Sequence, residues 1–325
     1  MKPLLTIAIP TYNRSLYLRR NLDFLYNQIN DFENKVEIIV SDNASIDDTY
    51  VVVNDFLLKG LPITYIKNID NKGPDFNISQ CYITANGKYV LTLGDDDLLV
   101  NGSIKAILNL VTEDYGVIFL NSAEFIDQKE IKKGKLNYIN YDEPIEFIKK
   151  INFYVTFISG NIINKKYLDE QELIKHNGSY LIQVSFILNA ILNAPQNLYI
   201  DDIMLFVEPD NTGGYNLFKI FGENFYSIVN NLKSINKNEI VIVRNIIFNN
   251  LLVNFFPQYI LKFKLTNNHS FIKTNPILNL KSIFSGYINF WLCCYVLNIM
   301  PNKLAKIYSY LIKFYSKIRA VFIGY

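Results

Sequence analysis

The segment Leu91–Leu99, LTLGDDDLL, ends an apolar run on three successive aspartates, Asp95, Asp96 and Asp97. Like charges this close repel, so keeping them ionised takes a metal ion, a basic neighbour, a helix N-terminus or water. A carboxylate cluster beside a glycine that admits close backbone approach suits a hard, oxygen-bound cation, Mg²⁺ or Mn²⁺, with positions left over for phosphates. In isolation the triplet serves equally as a solvated turn ahead of the helix that Ser103 begins. Asp42 also follows an apolar run, where a carboxylate can accept a hydrogen bond from a nucleobase imino group or close an Asx-turn. Tyr12 can pack against a base, Arg14 and Lys72 can balance a diphosphate, and Gly73 fits a tight turn beside it; each also reads as an ordinary loop residue. With only His176 and His269 in the chain, a histidine-rich zinc site or a Ser-His-Asp triad has little to draw on.

These residues must be positioned by the elements around them. The runs 4–9, 36–41, 63–67, 88–93 and 116–120 are continuous, rich in β-branched residues and bounded by polar or glycine signals, as expected of strands buried on both faces. Between them 16–28, 47–58, 76–85 and 103–111 have helical spacing or length, and Ser45 with Asp48 makes a capping box for the second helix. The alternation predicts an α/β fold with a mainly parallel, Rossmann-like sheet, whose ligands bind beyond the carboxyl ends of the strands. PTYNR (10–14), DNASIDDT (42–49), NIDNKGPDFN (68–77) and GDDD (94–97) then share one rim. The middle of the chain is less regular: 128–135 reads as a charged loop or hairpin, and Gly213 with Gly214 as a mobile loop or a surface turn.

The chain has 325 residues and a formal net charge of +2, which hides an asymmetry. From Ile240 to Tyr325 there are ten lysines and arginines and no acid, so residues 1–239 hold 32 − 10 = 22 basic against 30 acidic residues. Residues 284–300 are apolar but interrupted by Asn289 and Asn298, marginal for crossing a bilayer. After Pro301, the residues Leu304, Ile307, Leu311, Phe314, Ile318 and Val321 recur at spacings of three and four, with Lys306, Tyr310, Lys313 and Lys317 on another stripe. That is a basic amphipathic helix suited to an anionic membrane surface, or a helical cap on the catalytic part. Its apolar content argues against nucleic acid as the partner. Cys81, Cys293 and Cys294 lack CxxC spacing and point to a reducing, cytosolic setting. MKPLLTIAIPTYNR is too short an apolar run for a signal sequence and reads as a first strand.

Taken together, TIAIPTYNR, IIVSDNASIDDT, NIDNKGPDFN and GKYVLTLGDDD resemble the nucleotide-binding half of a family 2 glycosyltransferase of the GT-A fold. The resemblance covers residues 4–120 well and the middle loosely. It implies an inverting transfer from a nucleotide sugar, UDP-type favoured, to a glycan acceptor hydroxyl, the acceptor lipid-linked, in bacterial surface polysaccharide synthesis. By the same resemblance Pro10, Thr11 and Tyr12 line the nucleotide pocket with Arg14, Asn43, Lys72 and Gly73; Asp42 reads the base; Asp95 lies near the ribose; and Asp95, Asp96 and Asp97 hold Mn²⁺ or Mg²⁺. The expected division is a GT-A domain at 1–239, with a nucleotide-binding half (1–120) and an acceptor half (121–239), and a helical, basic and apolar appendage at 240–325 on the inner face of the cytoplasmic membrane.

Two positions depart from the family pattern: Gly94 stands where many members have a further aspartate, which still leaves three carboxylates, and the other is on the acceptor side. Where many members have an acidic residue near the start of an acceptor-side helix, this chain has Gln183, and an amide is no base. Glu172 and Asp210 are candidate substitutes among the remaining acids, and a noncatalytic nucleotide-sugar-binding scaffold is the alternative function. A nucleotidyltransferase is disfavoured because PTYNR has no glycine-rich loop.

Overall fold

The computed structural model describes residues 2–29, 32, 34–125, 136–208, 215–232, 237–266 and 275–323. They pack as two compact units, Met1–Phe147 with Val155–Asp210, and Ile148–Tyr154 with Asn211–Tyr325. The expected boundary at 239 and this one differ by the segment 211–239. The physical reason is aromatic: Phe225 sets its ring 5.3 Å from that of Phe248, so its helix is built into the second core.

The first unit follows the apolar runs. β1 (Leu5–Thr11), α1 (Ser15–Ile29), β2 (Val36–Asp42), α2 (Thr49–Leu58), β3 (Ile63–Lys67), α3 (Pro74–Thr84), β4 (Tyr89–Thr92), β5 (Leu98–Leu99) and α4 (Ser103–Leu110) succeed one another, and β6 (Val117–Glu124) follows. Then come β7 (Tyr138–Tyr141), α5 (Pro144–Ile151), whose end lies in the second unit, β8 (Asn161–Asn164), α6 (Glu172–Lys175), α7 (Ile182–Asn193) and β9 (Asn197–Val207). The sheet runs β3-β2-β1-β4-β8-β6-β9-β5, with β7 on β9. Its nucleotide-side strands β3, β2, β1 and β4 are parallel throughout. Beyond β4 the sheet is mixed, because β8 runs antiparallel to both β4 and β6.

β1, β2 and β4 are buried on both faces as their continuous apolar sequences require, whereas β3 is only half-buried because it closes the edge. α1 covers the sheet through Leu18, Leu22, Leu25 and Ile29, the i, i+4, i+7 and i+11 stripe of an amphipathic helix. The capping box expected at Ser45 and Asp48 does not form. Ser45 Oγ accepts the Asn13 N–H instead, and Asp47 takes both the N–H and the hydroxyl of Thr49.

α7 lies close against the start of β6 because Gly116 has no side chain. A Cβ there would come within 2.4 Å of Ala194 Cβ and 2.5 Å of Ala190 O. Gly116→Ala is therefore expected to cost about 1–3 kcal/mol by overpacking. Urea denaturation monitored by circular dichroism measures it, and an unchanged midpoint would mean that the helix yields freely.

In the second unit α8 (Phe225–Asn230), α9 (Lys237–Asn250), α10 (Phe256–Leu265), α11 (Pro276–Phe284), α12 (Val296–Ile299) and α13 (Asn302–Ile323) surround an aromatic core. Phe284 is at its centre, with ring centroids 5.3 Å from Phe248 and 6.1 Å from Phe256. α9 and α10 run on through a wide turn as one helix, Lys237–Leu265, long and apolar enough to cross a membrane. More than half of its most apolar stretch is buried inside the unit. That burial also explains its composition as that of a core helix. The segments 128–135 and 211–214, with Gly213 and Gly214, lie outside the described residues.

Candidate functional site

At the carboxyl ends of β1 and β4 a cleft of about 310 Å³ opens in the first unit. Pro10, Thr11, Tyr12, Arg14, Asn43, Asp95 and Asp96 line it, together with Asn71 and Asn77. Of the residues expected to bind nucleotide or metal, the first seven named are brought together. Asp42, Lys72, Gly73 and Asp97 stand outside the lining.

The acidic turn is held from two sides. On one, Asn21, on the buried face of α1, donates from Nδ2 to Gly94 O (3.1 Å) and Asp97 O (2.7 Å). On the other, Ser159 Oγ accepts the Gly94 N–H and donates to Asp97 Oδ2. Gly94 is needed for this shape: a Cβ there would lie 3.0 Å from Asp97 Oδ2 and 3.1 Å from Asp96 Oδ1. A further aspartate at this position would crowd the two carboxylates that fold back over it.

Arg14 bridges the pair that faces the cleft, with Nε 3.2 Å from Asp95 Oδ1 and Nη2 2.8 Å from Asp96 Oδ2. Its guanidinium also lies over the Tyr17 ring at 4.5 Å. Thr11 Oγ1 donates to Asp95 Oδ2 at 2.8 Å. One cation and two hydroxyls do not offset three adjoining acids, of which Asp95 and Asp97 are buried. Burial pushes Asp95 up to about 7 despite Arg14 and Thr11. Burial, with Asp96 and Asp95 adding to it, pushes Asp97 up to about 7 despite the Ser159 hydroxyl. The turn thus has an affinity for further positive charge.

The donor set fits a divalent ion in one form only. Among the described residues no three acid, histidine or cysteine side chains converge as a ready cage. Asp96 and Asp95 face the cleft while Asp97 turns to Ser159, which leaves two carboxylates. Two carboxylates completed by substrate phosphates and water are a usual Mg²⁺ or Mn²⁺ environment.

Asp42 is fully buried and engaged. Its Oδ1 accepts the Ser45 N–H (2.7 Å) and its Oδ2 the Tyr65 hydroxyl (2.6 Å). Burial and this carboxylate push the Tyr65 phenol above its usual range. Asn43 is the hub of the next loop: Nδ2 donates to Asn71 Oδ1 and Gly73 O, while Oδ1 accepts from Lys72 N and Asn68 Nδ2. Gly73, at φ +86°, is the left-handed residue that lets this loop enter α3. The exposed Lys72 ammonium lies over the Phe76 ring at 4.7 Å.

On the acceptor side, Gln183 is buried at the start of α7 and donates from Nε2 to Thr156 O (3.1 Å), while its Oε1 has no partner. Glu172 is buried against Lys175 at 2.9 Å and does not line the cleft. Asp210 lies outside the described residues. The start of α7 is fixed by Asp75, an acid on the buried face of α3. Its Oδ2 accepts the Tyr180 N–H (2.8 Å) and its Oδ1 lies 3.4 Å from Ile182 N. Asn21 and Ser159 are absent from the sequence expectations, and Asp75 and Asn77 enter them only as part of the rim segment 68–77. For Asn21 a signal existed, a polar residue within the apolar stripe of α1; for Ser159 there was none.

Residues 6–171, just over half of the chain, match the family model described as Glycosyl transferase family 2. The chain belongs to this family. Among its curated relatives is the abequosyltransferase RfbV of Salmonella typhimurium, 29% identical over 229 residues, 64% of this chain and 67% of that protein. A GalNAc(5)-diNAcBac-PP-undecaprenol beta-1,3-glucosyltransferase of Campylobacter jejuni is 36% identical over 120 residues, 37% of this chain and 38% of that protein. The chain thus spans about two thirds of the first relative and under two fifths of the second. Among solved structures, S. aureus TarS 1-349 in complex with UDP-GlcNAc superposes with a TM-score of 0.63 at 16% identity, covering 100% of this chain and 92% of that one. At that identity the likeness is one of fold. The glycosyltransferase accordingly places its acidic turn and Arg14 where a parallel α/β sheet receives ligands.

Proposed function

We propose that this glycosyltransferase moves a sugar from a UDP-type nucleotide sugar to a glycan hydroxyl on a lipid carrier, in bacterial surface polysaccharide synthesis at the inner face of the cytoplasmic membrane. The observation that carries the reading is the meeting of Arg14, Asp95 and Asp96 in a cleft at the carboxyl ends of β1 and β4. The relatives named as transferring sugars, one of them by name onto an undecaprenol-linked glycan, support sugar transfer and the acceptor class.

In this reading Pro10, Thr11 and Tyr12 form the nucleotide wall. Asp96 with Asp95 would hold Mn²⁺ or Mg²⁺, which when bound offsets the negative charge growing on the departing diphosphate. Arg14, already paired to both carboxylates, supplies a second positive charge to the same side of the cleft. Asp42 acts on the base through the loop it fastens, and Asn43 holds the segment 68–73 beside it. Gln183 does not take the acceptor proton; its amide positions the 156 backbone.

The test is release of nucleoside diphosphate from a panel of nucleotide sugars, with Mn²⁺ present or removed by chelation. A UDP-sugar is expected to be turned over, and chelation is expected to stop it. Equal turnover after chelation would remove the cation from the reading, and failure of every donor to bind would remove the nucleotide.

A further inference from the structure

α13 is built inside out for a helix in water. It packs on the second unit through small and polar residues: Ala305 is buried, Tyr308 Oη donates to Leu292 O (2.8 Å), Tyr315 Oη to Asn289 Oδ1 (3.0 Å), and Ser316 Oγ to Asn254 Oδ1. Ile312 is the one large aliphatic residue buried there among the side chains described. The others turn outward: Leu304 is 53% exposed, Ile307 61%, Leu311 59% and Phe314 63%. These four lie on one stripe at spacings of three, four and three, where an amphipathic helix of a water-soluble fold would carry its polar residues. On the adjoining stripe Lys303, Lys306, Lys313 and Lys317 are exposed, with no ion pair among the described residues. No acid lies anywhere from residue 240 onward to offset them.

We propose that α13 is an in-plane membrane anchor, its face Leu304, Ile307, Leu311 and Phe314 seated among the acyl chains of an anionic leaflet and its lysines at the headgroup phosphates. Charge complementarity selects this occupant. A second copy of the chain would set one lysine stripe against another, whereas an anionic surface attracts each of them. A spanning orientation is excluded by Lys303, Lys306, Lys313, Lys317 and Arg319, which punctuate the helix along its length. The anchor is thus distinct from the long apolar helix Lys237–Leu265, more than half of whose apolar stretch is buried. This inference deepens the proposed lipid-borne acceptor and rests on that reading only for its purpose, since binding is read without any transfer.

The full chain is to be floated with vesicles of phosphatidylcholine alone and of equal parts phosphatidylcholine and phosphatidylglycerol. The wild type is expected to rise with the anionic vesicles and to bind neutral ones at least about tenfold more weakly. Ile307→Glu/Leu311→Glu/Phe314→Glu is expected to abolish binding to both, and Lys306→Gln/Lys313→Gln/Lys317→Gln to remove the preference for the anionic ones. Both variants should retain donor turnover in solution. The lysine variant alters only exposed side chains, so it carries the test if the triple glutamate variant does not fold. Wild-type protein that binds neither vesicle overturns the proposal, as does a lysine variant that keeps the full preference. A wild-type dimer that the glutamate variant dissociates, with no vesicle binding, overturns it in favour of self-association. Asp96→Asn should float like the wild type, so failure of the anchor and failure of the proposed reaction are read separately.

Discussion

Asp96→Asn is expected to lower sugar transfer by about two to three orders of magnitude, the loss usual when one preorganised charge-stabilising group is removed. Its melting temperature should stay within about 2 °C of wild type. The substitution is isosteric, and the new amide oxygen can still accept from Arg14 Nη2, which lies 2.8 Å from the present carboxylate. It also removes one of three adjoining negative charges, a repulsion that helps raise Asp95 and Asp97 to about 7. What is lost is the charge on one of the two carboxylates that face the cleft. Asp97→Asn makes the comparison: that side chain accepts the Ser159 hydroxyl, a bond an amide oxygen can keep, so transfer should fall far less. Steady-state transfer across a Mn²⁺ titration separates the two. Equal kcat and equal Mn²⁺ response in Asp96→Asn would move the cation elsewhere.

The part of the site that was legible in the sequence is the part made by continuous apolar runs. β1, β2 and β4 are buried on both faces, so each is built on a mainly apolar run, and the polar residues that end the run mark the rim. The sequence therefore assigns residues from four separate loops to one rim. What stayed hidden were single polar groups whose partners lie far along the chain. Ser159 sits 65 residues from the Gly94 amide it accepts, and Asn21 76 residues from Asp97, and no local spacing announces such pairs. Ser45 shows the reverse failure: the local pattern predicts a cap, but the Asn13 amide, itself from the left-handed region at φ 53°, claims the hydroxyl. In α13 the periodicity revealed the apolar stripe and left its direction open. Direction is set by packing, and here Ala305, Ser309 and Ser316 allow close approach on the opposite side.

The fate of Asp42 separates two ways in which a carboxylate at a strand end can serve a nucleotide. Asp42→Ala is expected to destabilise the protein by about 2–4 kcal/mol, because the Ser45 N–H and the Tyr65 hydroxyl would be left without their acceptor in a fully buried place. Asp42→Asn should cost less. Its amide oxygen can accept from Ser45 while its NH₂ donates to Tyr65 Oη, which only has to rotate its proton. Lys67 Nζ, 4.0 Å from Asp42 Oδ2, would lose its opposing charge in either variant, a small term for so exposed a lysine. Urea denaturation reads these stabilities, and a double-mutant cycle with Tyr65→Phe isolates the coupling between the two side chains. Nucleotide binding to Asp42→Asn then decides the role. If Asp42 works through the loop it fastens, UDP and other nucleoside diphosphates should weaken by similar factors. A loss confined to UDP would mean that the carboxylate itself reaches the base when the nucleotide is bound, with Tyr65 displaced to let it do so.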